Sequence, residues 1–88
     1  MEQYIILGVD PRRDDVTTWV NVGILPTTME KAIEDVKDHY REQVNAYNRD
    51  EWYYDVYRIE NGVMIHAETI SPVFKGDDIE CYLLKPKQ

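Results

Sequence analysis

The dipeptide Asn61-Gly62 constrains this chain more than any other feature of its sequence. Both residues tolerate positive φ, so between two strand-like runs they close a two-residue hairpin whose twist suits the strands it joins. A loop of that length also fixes the register of its arms. Glu60 is then expected opposite Val63, Ile59 opposite Met64, Arg58 opposite Ile65, Tyr57 opposite His66, Val56 opposite Ala67 and Asp55 opposite Glu68. Because side chains alternate across a strand, Tyr54, Val56, Val63, Ile65 and Ala67 share one face, the expected core side. Trp52 belongs with Tyr54, whereas Tyr53 and Tyr57 point the other way.

The rest of the chain supplies partners for this hairpin. Valine and isoleucine outnumber leucine 17 to 4, and β-branched side chains suit a pleated, half-buried surface. A first strand is expected over Gln3 to Val9, ended by Asp10-Pro11, and a polar turn over Arg12 to Asp15. Val16, Val20, Val22 and Ile24 then fall on even positions, the period of a second strand running to Leu25. Pro26 stops it. Thr27 and Glu30 have the spacing of a capping box, and Met29, Ile33, Val36, Tyr40, Val44 and Tyr47 wind one apolar stripe down a helix of about 20 residues. Asn48-Arg49-Asp50 ends that helix. A loop around Pro72 and Gly76 leads to a last strand over Ile79 to Leu84.

The expected fold is therefore α+β, in the order β-β-α-β-β-β: an antiparallel sheet of four to five strands with the helix on one face. Residues 1–84 form one domain, and 85–88 a short basic tail. With 88 residues there is no room for a second catalytic domain, and only a thin core. Met1-Glu2-Gln3 carries no positive charge, and the longest apolar run, Tyr4 to Val9, is far short of the roughly 18 residues that cross a bilayer. Cys81 is the one cysteine, so an internal disulfide is impossible. A cytoplasmic protein without signal peptide or membrane span is expected.

The chemical inventory argues against an enzyme. Ser71 and Cys81 are the only serine and cysteine and His39 and His66 the only histidines. Cys81 sits among apolar strand residues and is expected as a small buried group; pairing with His66 would require adjoining strands. The glycines at 8, 23, 62 and 76 are isolated, so neither a phosphate-cradling loop nor a dinucleotide fingerprint exists. One constellation stands apart. Asp55 facing Glu68, with His66 on the same face, opposes like charges in a way that destabilises a sheet. It requires a cation, a shared proton, a neutralising base such as Arg58 or Lys75, or a different register, and is the basis for a metal-binding or acid–base alternative.

The charge points to binding. Seventeen acids against ten bases give −7, which disfavours direct contact with nucleic acid or anionic membranes and favours a basic protein partner. Glu30, Glu34, Asp38 and Glu42 recur every fourth residue, a row of like charges that does not stabilise a helix. Its spacing, about 6 Å, is similar to that of phosphates along a nucleic-acid strand. Asp77 and Asp78 would extend the field if they fold onto the same side. The leading expectation is a small non-enzymatic interaction domain that needs no cofactor, in its sharpest form an inhibitor of the phage or mobile-element kind occupying the basic groove of a nucleic-acid-binding protein. An ordinary solvated helix face is the plain alternative. A second expectation is a homodimeric assembly protein using Trp19, Tyr53 and Tyr57, since one helix can bury only one face of the sheet.

Overall fold

A computed structural model describes residues 2–12, 17–47 and 50–84. It comprises β1 (Gln3–Val9), β2 (Thr17–Trp19), α1 (Met29–Tyr47), β3 (Tyr53–Glu60), β4 (Val63–Lys75) and β5 (Asp78–Leu84). The five strands form one antiparallel sheet in the order β2-β1-β3-β4-β5, and α1 packs against one of its faces. The α+β fold and its element order are those read from the sequence. The basic tail, 85–88, lies outside the described residues, as do 13–16, with Val16 and part of the polar turn, and 48–49, with the start of the expected helix end.

The core is the helix stripe pressed onto alternate strand residues. Ala32, Val36 and Tyr40 of α1 meet Tyr4, Ile6, Tyr54, Val56, Ile70 and Ile79, all buried, with Met29, Ile33 and Val44 packed at the margin. Tyr40 reaches a partner through its tip: its hydroxyl donates to the Asp50 carbonyl at 2.8 Å while its ring lies against Phe74. Ala32, with its small side chain, allows helix and sheet to approach closely. The last stripe residue, Tyr47, is exposed beyond the sheet.

At the crowded end of this core, Trp52 and Tyr54 stack on each other with ring centroids 6.1 Å apart, both against the β1 backbone at Gly8. A Cβ at Gly8 would stand 2.9 Å from the Tyr54 ring and 3.3 Å from that of Trp52. Glycine is there because two aromatic rings occupy the space a side chain would need.

Four local expectations are corrected. The second strand spans only Thr17–Trp19, and the chain turns from Val20 onward through Gly23 at φ 105°; Val22 and Ile24 are 69% and 85% exposed rather than core residues. The chain still follows β1, since Val20 N–H donates to Ile6 O and Tyr4 N–H to Pro26 O, both at 3.0 Å. The helix is capped by Thr28 rather than Thr27: its hydroxyl accepts from Lys31 N–H at 3.1 Å, so Glu30 is not the reciprocal partner. Pro72 lies inside β4 rather than in a loop. There the ladder to β3 has ended at Tyr54↔Ile70 and only β5 remains alongside, so a missing N–H is tolerated.

The fourth correction concerns the hairpin. Asn61 and Gly62 adopt φ 52° and 77°, as the turn requires, and the expected pairs hold from Glu60↔Val63 to Tyr57↔His66. A β-bulge then takes up Ala67, and pairing resumes as Val56↔Glu68, Asp55↔Thr69 and Tyr54↔Ile70. Such an extra residue shifts everything after it to the opposite face.

Gly8→Ala is expected to destabilise the fold by about 1–3 kcal/mol through overpacking against the two rings. Chemical denaturation of the two proteins checks this, and an unchanged midpoint and slope would show that the rings give way.

Candidate functional site

The bulge dissolves the carboxylate pair. Glu68 now shares the helix-side face with Val56, and Asp55 lies on the other face beside Thr69. Asp55, His66 and Glu68 therefore do not form a cluster, and among the described residues no group of three His, Cys, Asp or Glu side chains is placed to hold a metal ion. In place of opposed charges there is a satisfied network. The Thr69 hydroxyl donates to Asp55 Oδ1 at 2.8 Å, and His66 Nε2 stands 3.1 Å from that hydroxyl and 3.4 Å from the carboxylate. Tyr57 lies against the His66 ring, centroids 5.2 Å apart. Cys81 and His66 do sit on adjoining strands, but Cys81 pairs with Pro72 on the helix side and His66 with Tyr57 on the other. Burial raises the Cys81 thiol above its ordinary pKa, the direction of an unreactive group.

Two surfaces remain. The first is the sheet face away from the helix. Cross-strand pairing aligns Trp19, Leu7, Asp55, Thr69 and Leu84 in one row across all five strands, with Ile5, Tyr57 and His66 in another. Tyr53 pairs with Val9 and Tyr82 with Ser71 on the same side. Trp19, Tyr53 and Tyr57, singled out from alternation alone, thus share one face. Trp19 is 45% exposed and Tyr53 37%, whereas Trp52 on the opposite side is 6% exposed. Tyr82, Met64 and Val73 also belong to this face and are exposed; the corrected register was needed to find them all on one side.

The second is the outer side of α1. Glu30, Glu34, Asp38 and Glu42 are all exposed. Lys31 ties to Asp35 at 3.1 Å and reaches Glu34 at 3.7 Å, and the Asp35 carboxylate holds its ammonium above the ordinary lysine value. Among the described residues, no ion pair engages Glu30, Asp38 or Glu42. Beside this ridge an open groove of about 470 Å³ runs between α1 and the segment after β2, with Asp35, Asp38 and Glu42 on one wall and Val20, Val22 and Ile24 on the other. Asp77 and Asp78, exposed at the β4–β5 turn, do not extend the ridge. Asp78 borders a separate groove along β5, where Lys37 and Lys75 also stand.

His39 joins the helix to the aromatic core. Its Nδ1 lies 2.7 Å from the Tyr54 hydroxyl, and its ring meets those of Trp52 and Tyr54 edge-on. Burial raises the Tyr54 phenol far above its usual pKa and lowers that of His39. Both groups are therefore neutral, and the His39 tautomer sets which of them donates. His39 is half-buried at the edge of the helix stripe, and the phenol beside it could be found only in three dimensions.

No protein-family model, curated protein or solved structure matches the chain. Among the described residues no helix is long and apolar enough to cross a membrane.

The lowered His39 pKa sets a pH dependence. The unfolded chain, with a histidine pKa near about 6.5, takes up a proton at a higher pH than the folded one, so stability falls as pH drops below that value. Wild type is expected to lose stability between about pH 7 and pH 5 more steeply than His39→Gln; equal slopes in denaturant titrations would exclude this cause.

Proposed function

We propose that the chain is a non-enzymatic interaction domain that binds a basic protein through the outer face of α1, in the manner of a nucleic-acid strand lying in its groove. The observation that carries this reading is the exposed row of Glu30, Glu34, Asp38 and Glu42 on a helix whose opposite side is locked into the core. Aligned like charges cost a helix a few tenths of a kcal/mol per neighbouring pair. Here that cost is relieved mainly at Lys31, near one end of the row. The remaining carboxylates keep the field that a cationic groove would attract.

Physical chemistry limits what such a ridge can do. Carboxylates on an exposed helix steer encounter and select against acidic proteins more than they add affinity. The apolar wall at Val22 and Ile24, beside Asp38 and Glu42 across the groove, supplies surface that a partner can desolvate. A lysine or arginine side chain suits that pairing, its stem on the valine and isoleucine and its charge at the carboxylates. An inhibitor built this way excludes nucleic acid by occupying the same basic residues.

The test is capture of proteins from native cell extract on immobilised wild type and on a Glu34→Lys, Asp38→Lys, Glu42→Lys variant. A basic protein retained by wild type alone, released between about 0.1 and 0.5 M salt and competed by duplex DNA or RNA, is expected. Equal retention by both proteins, or retention indifferent to salt and to nucleic acid, would rule out the acidic face as the binding surface.

A further inference from the structure

We infer that the outer edge of β5 is a docking site for an extended segment of another protein, one that alternates apolar with basic residues and joins the sheet as a further antiparallel strand. The site lies apart from the acidic ridge of α1 and does not depend on it.

The backbone of β5 makes the site. β5 ends the sheet, and it follows β4 through a two-residue turn, Gly76-Asp77, in which Gly76 takes φ 64°. The residues flanking such a turn, Lys75 and Asp78, exchange both of their ladder hydrogen bonds, and bonded pairs alternate from there. Glu80, Tyr82 and Leu84 therefore bond back to β4, and the N–H and C=O groups of Ile79, Cys81 and Leu83 point away from the sheet. Pro72 agrees with this assignment: it stands opposite Cys81, at a position whose N–H does not face β5. Among the described residues nothing pairs with this outer edge. Edge strands are ordinarily blunted by shortness, proline, lysine or a bulge. β5 has none of these over seven residues of unbroken register. The other edge is guarded: β2 has three residues, and β1 beyond it is covered by Tyr4 N–H to Pro26 O, Val20 N–H to Ile6 O and Ile6 N–H to the Asn21 side chain.

Side chains decide what the added strand must look like. Ile79, Cys81 and Leu83 are on the helix side, where with Ile33 of α1 they line an open groove of about 400 Å³ whose helix wall carries Lys37. A strand laid against them puts every second side chain into that groove. Apolar side chains suit it, and Lys37 turns cations away. On the other face β5 presents Asp78 and Glu80, two carboxylates with one ammonium between them, that of Lys75, 2.8 Å from Glu80. Cross-strand neighbours of opposite charge stabilise a sheet, so the remaining positions of the added strand suit lysine or arginine. A second copy of this chain does not meet that requirement. Pairing β5 with itself lines up the acids of two −7 chains along one seam.

Main-chain hydrogen bonds give such a complex its affinity, and the pockets for alternate side chains its selectivity. In the antiparallel arrangement, residues of the added strand opposite Ile79, Cys81 and Leu83 exchange both bonds with them. Those are its apolar residues. The basic residues between them turn their own N–H groups to solvent, so backbone and side chains of the partner can be tested separately.

NMR titration with blocked synthetic peptides tests this: one alternating valine and lysine, one with the same residues in block order, and the alternating peptide N-methylated at either its valines or its lysines. Wild type is expected to bind the alternating peptide with a dissociation constant below about 1 mM. The block-order and valine-methylated peptides should bind about tenfold more weakly or worse, and the lysine-methylated one as well as the parent. Amide exchange at Ile79, Cys81 and Leu83, fast in the free protein, should slow about tenfold or more at saturation. Leu83→Pro removes one outward N–H without touching the β4 ladder, and should weaken binding about tenfold, with circular dichroism confirming its fold. The methylated peptides carry the test where that variant does not fold. No binding at about 1 mM, equal binding of the block-order or valine-methylated peptide, or protection confined to the α1 ridge overturns the inference. So does protection of the same three amides by rising protein concentration alone, which would give the edge to a second copy.

Discussion

One helix cannot cover a five-stranded sheet on both sides, and nearly everything else in this molecule depends on that limit. α1 has 19 residues, a rod about 28 Å long and 10–12 Å wide, laid on a sheet roughly 24 Å across. It buries the row through Ile6, Val56 and Tyr54 and leaves the opposite face without any layer. The chain meets this limit in two ways. Polar groups on the open face are tied to one another, as at Asp55, Thr69 and His66. Its large aromatic residues Trp19, Tyr53 and Tyr82 are left exposed there.

The bulge at Ala67 links that limit to the chemistry of the surface. Without it, Asp55 and Glu68 would oppose each other on the open face as two unrelieved charges. With it, a threonine hydroxyl stands where the second carboxylate would be, and Glu68 moves to the helix side. A feature that resembles a metal or acid–base site in linear spacing thus becomes a hydrogen-bonded network on the open sheet face. The same insertion separates His66 from Glu68 across the sheet.

How much was legible in the sequence follows from how local each signal is. The Asn61-Gly62 turn, the Gln3–Val9 strand and the helix stripe are set by neighbouring residues and are found where the spacing puts them. So is the division of Trp52 and Tyr54 from Tyr53 and Tyr57, which needs only alternation. The errors lie where distant residues decide. A bulge has no signature in alternating β-branched residues, and the even-numbered run from Val16 to Ile24 leaves the sheet after Trp19 in a turn that its alternation does not announce. The acidic helix row was legible because it is periodic; its separation from Asp78 by Lys37 and Lys75 depends on how β5 lies beside α1.

The limit set by one helix is tested most directly by methyl NMR of a dilute sample with a soluble paramagnetic agent, which compares the two faces of the sheet. Ile6, Val56 and Ile70 report on the helix side, and Met64, Val73 and Leu84 on the open face. The first three are expected to stay shielded while the last three are broadened. Methyl groups equally shielded on both faces, or Ile6 and Val56 as accessible as Met64, would contradict it.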